Sequence, residues 1–202
     1  MLRIAVLISG SGSNLQSIID AIENKGLNCN IKYVISDKES AYGIERAEKH
    51  GIKTYVFNKK DYADCLSEKI FEVIKDDVDF IVLAGFLSIL KGDILKHFKD
   101  KIINIHPSLI PSFCGNGMYG IKVHKAAIDA GVKVSGCTVH FVDEGTDTGP
   151  IILQRTVPVY YEDDAETLQK RVLVEEHVAL PSALKLISEN KVSVENKKVR
   201  IL

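Results

Sequence analysis

The chain has 202 residues, and its 26 basic and 27 acidic side chains give a formal net charge of −1. This balance excludes the broad positive field that holds a nucleic-acid backbone or an anionic membrane surface, so any anionic ligand must be bound locally. The length suits one domain, residues 1–202. Its longest apolar run, residues 80–90, is far shorter than the roughly 20 residues of a membrane span.

The cysteines and the N-terminus point to a reducing compartment. The four cysteines are widely spaced, without a CxxC pair, which indicates neither a zinc site nor a disulfide framework. The first apolar run is brief and lacks a cleavage pattern, so we expect no signal peptide. The sequence therefore predicts a cytoplasmic protein with reduced thiols and no metal.

The first half alternates apolar runs with helical periodicity. Strands are predicted at residues 2–8, 31–36, 54–57 and 80–83, and helices at 13–26, with Ser13 as the cap, at 43–50 and at 61–75. This alternation predicts an α/β fold with a Rossmann-like, mostly parallel twisted sheet and helices on both faces.

The second half has a different pattern. A strand at 102–106 precedes an irregular segment at 107–120, a helix at 123–130, strands at 136–142 and 151–158, a helix at 165–187 and a hairpin at 191–202. The short link between the strands at 136–142 and 151–158 allows antiparallel pairing. Pro181 should begin a new turn or kink the long helix.

A glycine- and serine-rich turn, residues 9–15, lies between the first strand and the first helix. The backbone N–H groups around Gly12, Ser13 and Asn14 suit a phosphate at a helix start. The dinucleotide fingerprint fails because its third glycine is Leu15, and no Gly-Lys-Ser/Thr ending marks a P-loop. We interpret the turn as a phosphomonoester site, with a tight turn that binds nothing as the alternative.

Polar side chains mark the end of the strand at 102–106. Asn104 and His106 lie on one face because strand side chains alternate, and Pro107 ends the strand there. A carboxylate from the loop at 143–149 can reach the imidazole, and Asp147 is preferred because the chain turns beside it. A lone histidine is more often structural, but this trio suits attack of an amine on an activated carbonyl. His140 is interpreted as a pocket wall or a structural group.

Four ordered motifs carry a resemblance over nearly the whole chain: residues 8–16, 83–86, 104–109 and 136–149. On them, the chain resembles the phosphoribosylglycinamide formyltransferases, folate-dependent enzymes of purine biosynthesis. The resemblance implies amine attack on the formyl carbon of 10-formyltetrahydrofolate, without a metal. It also implies that residues 1–100 bind the nucleotide and that residues 101–202 bind folate and catalyse.

The resemblance also implies the site residues. The catalytic trio would be Asn104, His106 and Asp147. Glycinamide ribonucleotide would contact Gly12, Ser13 and Asn14 through its phosphate, Glu176 through its ribose, and Gly85 and Pro107 through its amine. Folate would contact Leu87, Ser88, Ile89, Leu90, Val142, Asp143, Glu144 and Asp147.

Two positions and one segment depart from the family pattern. Ser88 stands where an arginine is frequent, and Thr146 where a larger apolar residue is usual. The segment 113–120 is longer than usual and is interpreted as a mobile flap anchored by Tyr119.

The remaining expectations concern partners and alternatives. We expect small-molecule partners only, with neither nucleic acid nor membrane, and a monomer or homodimer. A formyltetrahydrofolate deformylase-like hydrolase and a non-catalytic nucleotide-binding protein are the alternatives. A methionyl-tRNA formyltransferase needs a further RNA-binding domain, for which no residues remain.

Overall fold

The computed structural model describes residues 1–63 and 65–202, which pack as two compact units. The first unit is Met1–Asn104 and the second is Ile105–Leu202. The boundary lies close to the division anticipated from the sequence. The assignment of nucleotide binding to one half and catalysis to the other stays a prediction.

The first unit is built on parallel strands. Its elements are β1 (Leu2–Ile8), α1 (Ser13–Glu23), β2 (Cys29–Ser36), α2 (Tyr42–Lys49), β3 (Lys53–Val56), α3 (Lys59–Tyr62), α4 (Leu66–Ile74), β4 (Phe80–Leu83), α5 (Asp93–His97) and most of β5 (Ile102–His106). The strand order is β3-β2-β1-β4-β5, and every neighbouring pair is parallel. The carboxyl ends of these strands therefore lie along one edge of the sheet.

The middle strands of this unit are apolar along their length. Residues 4–8 of β1 have no exposed surface, and all four residues of β4 are buried. Parallel strands covered on both faces read as continuous hydrophobic runs, which is why these two elements were visible in the sequence.

The second unit adds antiparallel pairing. Its elements are α6 (Ile121–Asp129), β6 (Val134–Phe141), β7 (Ile151–Pro158), α7 (Ala165–Ser188), β8 (Val192–Glu195) and β9 (Lys198–Ile201). The sheet order continues as β5-β6-β7, and β6 and β7 are antiparallel. Helix α7 packs on both of these strands, while β8 and β9 form a separate antiparallel pair. The predicted α/β fold, with a mostly parallel sheet and antiparallel strands in its C-terminal half, is confirmed.

Helix α1 begins differently from the prediction. Ser13 is its first helical residue, and the cap position is Gly12, which has a left-handed φ of 70° and no side-chain hydrogen bond to the helix. The predicted Ser13 cap is therefore wrong. The chain approaches the helix through a turn that only a glycine adopts without strain.

The predicted helix at 61–75 is two helices. The apolar stripe of Leu66, Ile70 and Ile74 belongs to α4 alone, whereas none of the four residues of α3 is buried. Asp64, within the predicted helix, lies outside the described residues. The prediction joined the two helices because α3, with four residues, is too short to show a period of its own.

Two further helical features go beyond the sequence analysis. Helix α5 was not predicted, because five residues are too few to show a period. Helix α7 is continuous from Ala165 to Ser188 with Pro181 inside it, so the chain does not leave the helix at the proline, and the kink expected as the alternative stays a prediction. The Ser182 hydroxyl donates to the Val178 carbonyl at 2.7 Å, one turn back along the helix.

Among the described residues, no helix combines the length and the apolarity that crossing a bilayer requires.

Gly136 generates a stability prediction. A Cβ atom there would lie 2.0 Å from the Arg155 carbonyl oxygen, on the paired strand β7. We expect Gly136→Ala to reduce the free energy of unfolding by about 2 kcal/mol or more, because the backbones must separate. Gly10→Ala is the control, since nothing lies within 4 Å of its Cβ position. Equal urea midpoints for the two variants would contradict the prediction.

Candidate active site

The turn after β1 is held from one side by α2. We call residues 9–14 the glycine–serine loop. A Cβ atom on Gly12 would lie 2.5 Å from the Gly43 Cα atom, so the two backbones touch. Gly43 N–H donates to the Gly10 carbonyl at 3.1 Å, and Arg46 Nε donates to the Ser11 carbonyl at 2.9 Å. The loop conformation therefore depends on α2 as well as on its own glycines.

The predicted phosphate contacts lie at the start of α1. Gly12 is buried, Ser13 is half-buried and the Asn14 side chain is buried. The first N–H groups of a helix have no partner within the helix, and their dipoles favour an anion. The loop thus offers backbone donors more than side chains.

The segment that follows β4 is fixed by hydroxyl groups. Leu87 N–H donates to Ser9 Oγ at 2.8 Å, and Ser9 N–H donates to the Gly85 carbonyl at 3.1 Å. Ser88 Oγ donates to a carboxylate oxygen of Asp37 at 2.6 Å. The predicted Gly85 carbonyl therefore already accepts one hydrogen bond within this unit.

Side chains alternate along this segment. Leu87 and Ile89 are 44% and 67% exposed, whereas Ser88 and Leu90 are buried. Of the four predicted folate contacts here, two therefore present apolar side chains to the surface. The buried Ser88 hydroxyl anchors the segment from within.

Strand β5 places two polar groups at its end. Ile103 and Ile105 are buried, Asn104 is half-buried, and His106 is 4% exposed. The alternation that the sequence predicts puts Asn104 and His106 on one face of the strand. The half-buried Pro107 then ends the strand.

The structure brings His106 and Asp147 together. His106 Nδ1 lies 3.5 Å from Asp147 Oδ2, and His106 Nε2 lies 2.9 Å from the Phe113 carbonyl oxygen. Both imidazole nitrogens thus face acceptors. Gly115 N–H donates to the same Asp147 oxygen at 2.9 Å, so one segment contacts both members of the pair.

A second histidine reaches the other side of the carboxylate. His140 Nε2 lies 3.7 Å from Asp147 Oδ1, and its Nδ1 lies 2.8 Å from the Phe141 carbonyl oxygen. Burial lowers the pKa of His140 and outweighs the opposing effects of that carbonyl and of Asp147. We interpreted His140 as a wall or a structural group, and the structure adds that it faces Asp147.

A third histidine is buried on α6. His124 is 1% exposed, and its Nδ1 has no hydrogen-bond partner among the described residues. Burial, followed by repulsion from His106, lowers the pKa of His124 to about 4.

Two acidic residues of the loop at 143–149, Asp143 and Asp147, have different partners. Asp143 Oδ1 accepts from the Gly145 N–H and the Thr148 hydroxyl, so Asp143 stabilises the turn. Asp147 has a left-handed φ of 57° and extends its carboxylate to the histidines. The two carboxylates differ in their hydrogen-bond partners, and those partners are difficult to predict from the sequence.

The other predicted contact residues differ in their exposure. Val142 is half-buried, Glu144 is exposed, and Glu176 on α7 is 8% exposed. A cavity of about 580 Å³ in the second unit borders Asp147 and extends to Lys197 and Lys198. Tyr119, the predicted flap anchor, contacts Lys122 instead, while Phe113 and Gly115 make the contacts to the pair.

The described residues, 1–63 and 65–202, contain no group of three or more histidine, cysteine or acidic side chains that could hold a metal ion.

Sequence reasoning missed the roles of Phe113, Gly115 and Arg46. Phe113 and Gly115 act through backbone groups, which leave no trace in side-chain chemistry. Arg46 lies on an amphipathic helix, where a basic residue normally faces solvent.

The sequence is similar to a known protein family and to longer, trifunctional proteins. The formyl transferase family matches residues 2–184. The trifunctional purine biosynthetic protein adenosine-3 of Bos taurus is 46% identical over 193 residues, which are 94% of this chain and 19% of that protein. The chain therefore spans only a small part of such trifunctional relatives.

Solved structures give a closer match in length. The phosphoribosylglycinamide formyltransferase from Anaplasma phagocytophilum is 42% identical, with a TM-score of 0.89, and the match covers 99% of this chain and 94% of that one. A formyltetrahydrofolate deformylase from Pseudomonas syringae also has a TM-score of 0.89, at 29% identity, over 66% of its own chain. With the whole fold matched at this identity, the chain belongs to the phosphoribosylglycinamide formyltransferase family.

Proposed function

We propose that the chain transfers the formyl group of 10-formyltetrahydrofolate to the amine of glycinamide ribonucleotide, giving formylglycinamide ribonucleotide and tetrahydrofolate. The observation that carries this proposal is the buried His106–Asp147 pair at the end of β5. An imidazole beside a carboxylate can carry the positive charge that stabilises the oxyanion of acyl transfer. Family membership supplies the identity of the two substrates.

The proposed reaction needs no covalent enzyme intermediate. The substrate amine attacks the formyl carbon, and the carbonyl electron pair moves to oxygen, giving a tetrahedral oxyanion. Asn104 and protonated His106 stabilise this oxyanion, for which His106 Nε2 must exchange its contact with the Phe113 carbonyl, and Asp147 stabilises the imidazolium. The amine proton passes to folate N10, through water or Asp147, as the bond from carbon to N10 breaks.

The geometry assigns the reacting imidazole to His106. Burial lowers the pKa of both His124 and His140, so both are neutral near pH 7. Of these three rings, His106 alone is placed both at the end of β5 and beside the carboxylate. His140 then acts as a neutral neighbour that limits where Asp147 can move.

The proposed binding residues divide by chemistry. Backbone donors at Gly12, Ser13 and Asn14 suit the phosphate, Glu176 suits the ribose hydroxyls, and the Gly85 and Pro107 carbonyls suit the amine. The apolar side chains of Leu87 and Ile89 suit a flat heterocycle, with Ser88, Leu90, Val142, Asp143 and Glu144 completing the proposed folate contacts. We infer small-molecule partners only, a cytoplasmic location and a monomer or homodimer.

Hydrolysis of the same folate is the second candidate, because a deformylase shares the fold. The glycine–serine loop favours the transferase, since hydrolysis has no phosphorylated acceptor to bind. The more distant relationship of the deformylase points the same way.

The activity itself gives the first functional prediction. We expect tetrahydrofolate formation, followed by absorbance, only when glycinamide ribonucleotide is present with 10-formyltetrahydrofolate. Turnover without the ribonucleotide would indicate a hydrolase. Ribonucleotide binding without turnover would indicate a non-catalytic binding protein.

Asp147 and Asn104 generate the second functional prediction. Asp147→Asn and Asn104→Ala should each lower kcat by about 10²- to 10³-fold, because each removes stabilisation of the charged intermediate. Asp129→Asn on the exposed end of α6 is the matched control and should keep wild-type turnover. Folded variants that retain full kcat would refute the proposed trio.

His124 generates a prediction about pH. Its folded pKa of about 4 lies below the ordinary value of 6.5, so the unfolded chain takes up the proton first as pH falls. Stability is therefore complete above pH 6.5 and declines toward pH 4, with a loss of about 2 kcal/mol by pH 5. Urea unfolding at pH 8 and pH 5 measures this loss. His124→Leu should show a smaller difference between the two pH values, and an unchanged difference would count against the assignment.

A further inference from the structure

Helix α2 donates hydrogen bonds to two successive carbonyl groups of the glycine–serine loop. The Gly10 carbonyl accepts from the Gly43 N–H at 3.1 Å, and the Ser11 carbonyl accepts from Arg46 Nε at 2.9 Å. In a trans peptide the C=O and the following N–H point in opposite directions. The N–H groups of Ser11 and Gly12 are therefore directed away from α2.

These two amides lie directly before the start of α1, whose first N–H groups have no acceptor within the helix. The Gly12 carbonyl accepts from the Gln16 N–H at 2.9 Å, so the helical pattern begins at Gly12. Successive N–H groups that converge before a helix form a concave site for an anion. Because α2 holds the Gly10 and Ser11 carbonyls on one side of the loop, the Ser11 and Gly12 N–H groups face the opposite side, where a ligand can bind.

Arg46 is the charged member of this arrangement. Its Nη1 donates to Gln16 Oε1 at 3.2 Å while its Nε holds the Ser11 carbonyl, so the guanidinium spans the loop and the helix that follows it. Residues 9–16 contain no basic side chain of their own. The guanidinium therefore supplies positive charge to a loop that must bind a phosphate dianion.

We propose that Arg46 is a positioning residue for the 5′-phosphate of the acceptor substrate: it orients the Ser11–Gly12 peptide and places a cation behind the phosphate site. This inference rests on the proposed function, because it assigns the glycine–serine loop to that phosphate. Arg46 touches the loop and not the reacting atoms, so its loss affects binding of the nucleotide and leaves the chemical step intact.

The matched control is one turn further along α2. Lys49 is exposed, and its ammonium lies 5.5 Å from the centre of the Tyr42 ring, over which Arg46 also lies at 5.0 Å. Lys49→Gln removes the same charge from the same helix without touching the loop carbonyl. This variant therefore distinguishes the effect of losing the Arg46–Ser11 hydrogen bond from the effect of losing one positive charge on α2.

The decisive experiment compares two acceptors, glycinamide ribonucleotide and the riboside that lacks the phosphate. Arg46→Gln should raise KM for the ribonucleotide about tenfold, because the Ser11–Gly12 peptide loses the contact that orients its amide and the phosphate site loses a nearby cation. Its kcat and its KM for folate should not change, and its kcat/KM for the riboside should equal that of wild type. Arg46→Lys should lie between wild type and Arg46→Gln, because an ammonium can still donate to the Ser11 carbonyl.

Calorimetry with ribose 5-phosphate gives a readout that does not depend on turnover. We expect about tenfold weaker binding to Arg46→Gln and unchanged binding to Lys49→Gln. Equal losses with both acceptors, or unchanged ribose 5-phosphate binding, would overturn the role of Arg46. Wild-type protein without formyl transfer would instead overturn the proposed function, and the calorimetric comparison would remain valid.

Discussion

The burial of the Asp147 carboxylate is the constraint on which the second unit depends. At 11% side-chain exposure, this group loses most of its hydration, so donors must surround it. The Gly115 amide and two imidazoles, His106 and His140, supply that environment. Because removing one partner from a buried charge costs far more than the pair contributes, the loops at 113–117 and 143–149 are tied to the end of β5.

In the first unit, serine hydroxyl groups provide the hydrogen bonds that buried polar groups need. Ser9 and Ser88 satisfy polar groups around the segment after β4, and the exposed positions of that segment stay apolar. The Ser88–Asp37 hydrogen bond anchors this segment from inside. The surface there is then shaped by Leu87 and Ile89.

The parts of the fold that could be predicted are those with long or repeated signals. Strands β4 and β7 have the bounds that their apolar runs indicated, and Asn104 and His106 follow from alternation. The break between α3 and α4 and the five-residue α5 were missed, since periodicity needs more residues than these helices have. The Ser13 cap was wrong because Gly12 takes a left-handed turn that the side-chain preference for caps does not reveal.

The contacts that could not be predicted join backbone to side chain across the sequence. Phe113 and Gly115 meet His106 and Asp147 through a carbonyl and an amide that every residue possesses, so residue type carries no information about them. The same holds for the Ser11 carbonyl and Arg46, which are 35 positions apart. Sequence chemistry identifies the groups that react, whereas the chain path decides which backbone groups orient them. The family resemblance therefore transfers the reacting residues more securely than the loops around them.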